Sequence, residues 1–401
     1  MTQDTRFMPR IARRMAGAQA SEIRELLKLA EAPGVISFGG GIPDPALFPV
    51  QEMSQALTDV LADPVTGPQA LQYSVSEGDP ALRAWIAAYL TDSGAPCTAD
   101  NILVTTGAQQ ALDFLGRLLI DRGDTVLTQW PTYLGALQAF APNGPRYGDL
   151  GGANWMAQGA GADPTAFAYV VPDFANPTGA TMDAVARERL LDLAHARDLP
   201  VIEDSPYAAL RFEGQPERSL LARDIDRVGR IDASRVIQLG SFSKILSPGL
   251  RVGWVAASQE IIGRLVLMKQ AADLNASRLT QMAVLRVAER GMTARIDRAC
   301  QSYRQKRDAM MDALSRHMPE GVTWNRPDGG MFLWLTLPTW ADAAAILPRA
   351  IEAGVAYVPG AAFYPDRSTA NCLRLSYSLP SPEAIETGIA RLGAVLAQEK
   401  P

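Results

Sequence analysis

Histidine is nearly absent from this sequence, which holds only His195 and His317. Zinc sites and Ser/His/Asp triads both draw on imidazole, so the scarcity argues against either chemistry. His195 sits in the helical pattern RERLLDLAHARDLP and His317 at an apparent helix end in ALSRHMPEG; neither belongs to a motif, and both read as structural. Cysteine is scarce too. Cys97, Cys300 and Cys372 are odd in number and far apart, which excludes a disulfide framework and a CxxC zinc or redox pair and fits a reducing cytoplasm. No block of like charge occurs: 38 basic and 43 acidic residues are interspersed, for a net charge of -5, leaving no electrostatic footprint for nucleic acid or an anionic membrane. No run approaches the roughly 18 apolar residues of a membrane span. The N-terminal MTQDTRFMPRIARRMAGA has basic residues but no apolar core for a signal peptide, so a soluble intracellular protein is expected.

What the 401 residues do contain is a globular composition, 47% hydrophobic and 20% charged, enough for a sizeable core and two or three domains. From about residue 100 short β-rich segments alternate with helical patterns: NILVTTG, AQQALDFLGRLLI, DTVLTQW, AFAYVVPDF, MDAVARERLLDLAHARD, LPVIEDSPY, RVIQLGSFS and LRVGWVAAS. Strands so continuously apolar predict an α/β fold, a mainly parallel sheet covered by helices on both faces, with ligands at the carboxyl ends of its strands. Past about residue 258 the texture changes to long helical patterns, then to GVTWNRPDGGMFLWLTLP, GVAYVPGAAFY and NCLRLSYSL, as expected of a smaller α+β domain. The division expected is 1–45 as a segment joining the small domain, 46–285 as the large domain and 286–401 as the small one.

The segment GSFSKILSPGLRVGW places cations at the edge of apolar strands. A strand running to Lys244 would aim the hydroxyls of Ser241 and Ser243 the same way. The SPGL turn returns Arg251 to the same spot, where its fork would hold a phosphate. A phosphate beside a reactive amine is what pyridoxal phosphate needs. Ser241 to Lys244 also fits the S-x-x-K of penicillin-recognising hydrolases, but neither S-D-N nor K-T-G is present.

S-x-S-K followed by R-x-G-W resembles the lysine region of fold-type I, class I/II aminotransferases, and further motifs occur in that family's order across roughly residues 20–395. The resemblance implies a seven-stranded large domain and pyridoxal phosphate carried on Lys244. In VIEDSPY, Asp204 matches the aspartate on the pyridine nitrogen, and Tyr207 the tyrosine on the phenolic oxygen. Asn176 of PDFANPTG matches the asparagine on that oxygen, with an Asn176–Pro177 bond open to the cis form. TTGAQQAL opens a helix whose Ala108 and Gln109 amides would meet the phosphate; many relatives have serine where Ala108 stands, so weaker binding is expected at that corner. Tyr133 matches the residue stacked on the ring. Tyr73 matches a tyrosine that reaches the partner subunit's phosphate, which implies a homodimer with shared sites.

For substrate, Arg374 in CLRLSYS matches the arginine that binds the α-carboxylate, and Gly40 in SFGGGIPDP is the expected backbone contact. The GGG run is not a dinucleotide fingerprint, because Ile42-Pro43 and Pro45 follow at once. Arg24, on the amphipathic SEIRELLKLAE, matches a specificity arginine in the branch that includes 2-aminoadipate and kynurenine aminotransferases. The expected activity is ping-pong transamination between an α-amino acid and a 2-oxo acid such as 2-oxoglutarate. A lyase or decarboxylase on the same fold, and a non-catalytic amino-acid sensor, are the alternatives.

Overall fold

The computed structural model describes residues 10–15, 34–151 and 164–399. Its centre is a seven-stranded sheet of β1 (Ile102–Thr105), β2 (Thr125–Thr128), β3 (Arg146–Asp149), β4 (Thr165–Val170), β5 (Val201–Asp204), β6 (Val236–Ser241) and β7 (Gly253–Ala256), in the order β1-β7-β6-β5-β4-β2-β3. β7 runs antiparallel to both of its neighbours. Every other adjacent pair is parallel. β1, β5, β6 and β7 are buried along their whole length, which accounts for their unbroken apolar character. β3 is the exception: none of its RYGD residues is buried, unlike β1 at the other end of the sheet, so it carries no apolar run, and the sequence reading did not foresee it.

Because β7 is antiparallel, its first residue meets the last residues of β1 and β6: Gly253 is in register with both Thr105 and Ser241. The chain therefore leaves β1, β2, β4, β5 and β6, and enters β7, at one edge of the sheet. Helix α1 (Ala108–Leu119) starts there directly after β1, with Leu112 and Leu115 buried as the sequence spacing predicts. Helix α2 (Ala184–Arg197) is started by Asp183, whose side chain accepts from Ala186 N at 2.7 Å, and stopped by Asp198 at φ 49°. On β5 the side chains alternate. Glu203 turns away from the edge cavity and accepts from Leu220 N (2.9 Å) and Leu221 N (3.0 Å), tying down the start of helix α3 (Leu220–Val228), while Asp204 is left for the cavity.

The smaller sheet is wholly antiparallel: β8 (Thr323–Trp324), β9 (Phe332–Thr336), β10 (Val358–Pro359) and β11 (Cys372–Ser376), in the order β10-β11-β9-β8. Helices α4 (Met292–His317) and α5 (Pro382–Gln398) pack together beside it. The long helical patterns expected past residue 258 are three helices, Gln259–Ala272, Arg278–Glu289 and α4, the last two separated by Gly291 at φ 128°. Ile36–Ser37 pairs in parallel with Val355–Ala356, and Ser376 N donates to Phe38 O. The glycine run that follows is thereby fixed between the two sheets.

Gly253 allows β7 to pass hard against the turn that opens α1. A β-carbon there would lie 2.9 Å from Ala108 N, Gly107 C and Gly240 O, all backbone atoms. Gly253→Ala is expected to lower stability by about 1–3 kcal/mol through overpacking, seen as an earlier urea midpoint. An unchanged midpoint would show that the strand and turn are not held this closely.

Candidate active site

At the edge where the strands converge lies a cavity of about 340 Å³. Ala108, Gln109, Tyr133, Asn176, Asp204, Tyr207, Ser241, Ser243, Lys244, Arg251 and Arg374 all line it, from the turns after β1, β2, β4, β5 and β6, the approach to β7, and β11. Eleven of the fourteen residues singled out in the sequence thus share one space.

Asp204 ends β5 and is buried. Its Oδ2 accepts from the Tyr169 hydroxyl at 2.8 Å, while Oδ1 has no partner among the described residues. Burial pushes its carboxyl up to about 6, with the Tyr169 bond opposing, so it is ionised at neutral pH. β6 ends at Ser241, earlier than expected, and a turn carries Lys244 onward. Ser241 is thus placed by the strand but Ser243 by that turn and not by strand alternation, and Ser243 N donates to Ser241 Oγ at 3.1 Å.

The Lys244 amine donates to Gly41 O at 2.8 Å and stands 5.9 Å from the centre of the Tyr207 ring. Desolvation, then the positive charges of Arg374 and Arg251, pull it down to about 8. Arg251 follows a single 3-10 turn, Pro248–Leu250, and adopts the left-handed conformation at φ 52°. Its guanidinium donates to Pro248 O (3.2 Å) and Thr106 O (3.4 Å) and lies over Gly107, where a β-carbon would sit 2.4 Å from Nη2. That turn is pinned from behind, since Thr106 Oγ1 and Gln110 Nε2 both donate to Asp273 Oδ2, at 3.0 and 2.7 Å.

Arg374 is buried, because β11 is covered on both faces instead of leaving one to solvent. It donates to Asn176 Oδ1 at 2.6 Å and to Gly39 O, with Phe332 and Phe363 packed against its guanidinium at 4.5 and 5.1 Å. Burial draws it down to about 10, so it remains charged at neutral pH. The Asn176–Pro177 bond is cis. Tyr207 is buried edge-on against Phe332 at 5.6 Å, and burial raises its hydroxyl far above the usual value. Burial, with the nearby Asp204 charge, pushes Tyr133 up to about 12.

The charge balance is one-sided. Lys244, Arg251 and Arg374 face the cavity without a carboxylate paired to any of them among the described residues, and Asp204 is the one acid in the lining. Such a space calls for anions, and for one cationic donor to meet Asp204 Oδ1.

Two residues lie elsewhere, and a third is not among those described. Gly40 is not part of the lining; its neighbours are, in effect, the contacts, since Gly39 O and Gly41 O accept from Arg374 and Lys244. Tyr73 is 77% exposed and outside its own chain's cavity. Arg24 lies outside the described residues. Sequence reasoning missed Tyr169, whose strand was legible in AFAYVVPDF but whose hydrogen bond to β5 required the strand order, and Phe332 and Phe363, which come from the small-domain side.

The chain belongs to the class I and II aminotransferases: the pattern of that family matches residues 33–144 and 169–392. It is 42% identical to the 2-aminoadipate transaminase of Thermus thermophilus over 94% of each chain. It is 39% identical to aromatic-amino-acid aminotransferase 1 of Thermococcus litoralis, over 96% of this chain and 93% of that one. Among solved structures, the α-aminoadipate aminotransferase of Thermus thermophilus, complexed with N-(5'-phosphopyridoxyl)-L-leucine, superposes with a TM-score of 0.88 at 39% identity, covering 96% of this chain and 97% of that one. The protein is accordingly a pyridoxal phosphate-dependent transaminase of fold type I. The site fits that cofactor on its own terms, because the unpartnered Asp204 oxygen and the excess of cations suit a protonated ring nitrogen and a phosphate.

A lowered amine pKa makes Lys244 a neutral nucleophile at a lower pH than an ordinary lysine. In cofactor-free protein its acetylation by acetic anhydride should rise about tenfold per pH unit and level off near pH 8. Arg374→Met should move that midpoint upward by removing a positive neighbour. Titration of Lys244 at the ordinary 10.5 would contradict the environment described.

Proposed function

We propose that this enzyme moves the amino group of an α-amino acid to 2-oxoglutarate in two half-reactions of a ping-pong cycle, and that the cavity residues take the following parts. The observation that carries the proposal is the trio of unneutralised cations around the single acid, Asp204. Arg251, the hydroxyls of Ser241 and Ser243 and the amides of Ala108 and Gln109 hold the phosphate, the amides acting as a helix N-terminus without the help of a hydroxyl at position 108. Asp204 Oδ1 accepts from the protonated ring nitrogen. Asn176 gives its Oδ1 to Arg374, which leaves Nδ2 to donate to the phenolic oxygen together with the Tyr207 hydroxyl. Tyr133 covers the ring face.

Arg374 receives the substrate carboxylate on Nε, which has no partner among the described residues, and Nη2, keeping its Nη1 bond to Asn176. Lys244 would take the α-proton on its amine as general base and deliver it to the cofactor carbon as general acid. An amine held near 8 suits that work at neutral pH, where both protonation states are available. Pyridoxal phosphate, when bound, supplies the electron sink that makes the α-proton removable. The base follows β6 of the large sheet and the carboxylate receptor stands on β11 of the small one, so the packing of the two sheets around the cavity sets their relation.

Tyr73 is exposed and would serve a neighbouring copy's phosphate, making a homodimer the working unit in the cytoplasm. Arg24 would meet an acidic substrate side chain. The names of the relatives support 2-aminoadipate and aromatic amino acids as donors to try first.

The test is to add a panel of amino acids to the purified enzyme and record the visible spectrum. A productive donor should bleach the cofactor band, and 2-oxoglutarate should restore it; consumption of amino acid with no acceptor would instead mean a lyase or decarboxylase. Initial rates should give parallel double-reciprocal lines, and intersecting lines would overturn the ping-pong cycle. Lys244→Ala should retain cofactor and lose about a thousandfold or more in kcat. Arg374→Lys should act mainly on the amino acid's KM, about tenfold or more, because an ammonium cannot make the paired contact.

A further inference from the structure

A second cavity, about 420 Å³, lies behind the first. Pro206 and Ser241 line both, so the chain after β5 and the end of β6 form the partition between them. Its walls are apolar at Leu90, Ala95, Ile245 and the rings of Tyr89 and Trp254. Its volume is within the range of small-molecule sites, roughly 300–1,000 Å³.

Three buried polar atoms in this lining have no partner among the described residues: Gln238 Oε1, Trp254 Nε1 and Ser205 Oγ. Gln238 and Trp254 are 6% and 5% exposed, so bulk water does not serve them. Their orientations are fixed. Gln238 Nε2 donates to Glu203 Oε2 at 3.2 Å, which leaves the acceptor end of the amide over. The Trp254 indole lies across Gly240, where a β-carbon would meet Nε1 at 2.6 Å and ring carbons at 2.1 Å, and it packs against Phe242 with ring centres 5.1 Å apart. Buried polar groups are nearly always hydrogen-bonded, so one acceptor, one donor and one hydroxyl fixed in one cavity describe a complementary molecule.

The charged groups in the lining indicate that this molecule is neutral. Asp173 is paired with Arg187 at 2.8 Å, Glu217 with Arg223 at 2.9 Å and Arg218 with Asp226, while Asp92 is exposed at the rim. None offers a free counter-charge at depth, in contrast to the cation-rich first cavity.

We propose that this second cavity is a binding site for a neutral small molecule with an apolar ring and a carboxamide-like head, the head donating to Gln238 Oε1 and accepting from Trp254 Nε1. Such a molecule lies behind the active site and does not compete with the amino acid for Arg374. The test uses benzamide as the probe, titrated calorimetrically into the cofactor-loaded enzyme in the presence of a saturating amino acid, with toluene and benzoate as comparators. Benzamide should bind once per chain and more tightly than either comparator. Trp254→Phe keeps the ring packed on Gly240 but removes the N–H, and Gln238→Leu removes the acceptor; each should weaken benzamide about three- to tenfold, the loss of one hydrogen bond. Both variants should be checked for an unchanged cofactor spectrum, which reports an intact fold independently of the probe. No binding at millimolar benzamide, with ordered water alone satisfying the three atoms in a crystal structure, would overturn the proposal. So would binding that the two substitutions leave unchanged, or that the amino acid displaces.

Discussion

The active site depends on a carboxylate kept ionised where little stabilises it. Asp204 is buried at the end of β5 with one oxygen bound to Tyr169 and the other unpaired. Removing an ion from water costs on the order of several kcal/mol, and a single hydroxyl does not offset that. The rest of the cavity is arranged around the imbalance: three cations stand nearby without forming an ion pair to it, so their charge and its charge remain available to a ligand. A folded chain tolerates this because four strands of the surrounding sheet, β1, β5, β6 and β7, are buried along their whole length and supply stabilisation from elsewhere.

The antiparallel β7 is what makes the geometry possible. It brings Gly253, and with it Arg251, to the edge at which β1 and β6 finish. Had that strand run parallel to its neighbours, Arg251 would have entered at the opposite edge of the sheet, a strand's length away. The direction cannot be read from apolar content, which is the same either way along a strand. The motif spacing between Lys244 and Arg251 nonetheless carried the information, because seven residues with a Pro-Gly turn reverse the chain and are too few for a crossover helix.

More of the site than of the fold's outer parts was legible in the sequence, for physical reasons. Buried strands announce themselves through unbroken apolar runs; the edge strand β3, with RYGD, does not, since half of its surroundings are solvent. Residues at strand ends could be placed because polar groups following an apolar run are confined to the sheet's edge, and the resemblance to the aminotransferases picked out Asp204, Asn176 and Lys244 among them. Depth was harder. Arg374 stands between leucines and reads as an outward-facing arginine on a two-sided strand, yet both faces of β11 are covered. Tyr169 was invisible as a functional residue, since the bond its hydroxyl makes is to a neighbouring strand. At the glycine run it is Gly39 O and Gly41 O that accept from Arg374 and Lys244, a detail that three identical residues in a row do not reveal. Tyr73 is exposed on this chain, and the role proposed for it needs a second one.

Arg251 adopts a backbone geometry that suits glycine, at φ 52°, and lies on the one turn that aims its guanidinium over Gly107. For a side-chain-bearing residue that conformation is intrinsically unfavourable, by about 1 kcal/mol or a little more. A glycine at this position would relax the chain and at the same stroke take away the guanidinium proposed to hold the phosphate, with its bonds to Pro248 O and Thr106 O. With that role, residue 251 is a place where backbone ease and turnover pull in opposite directions.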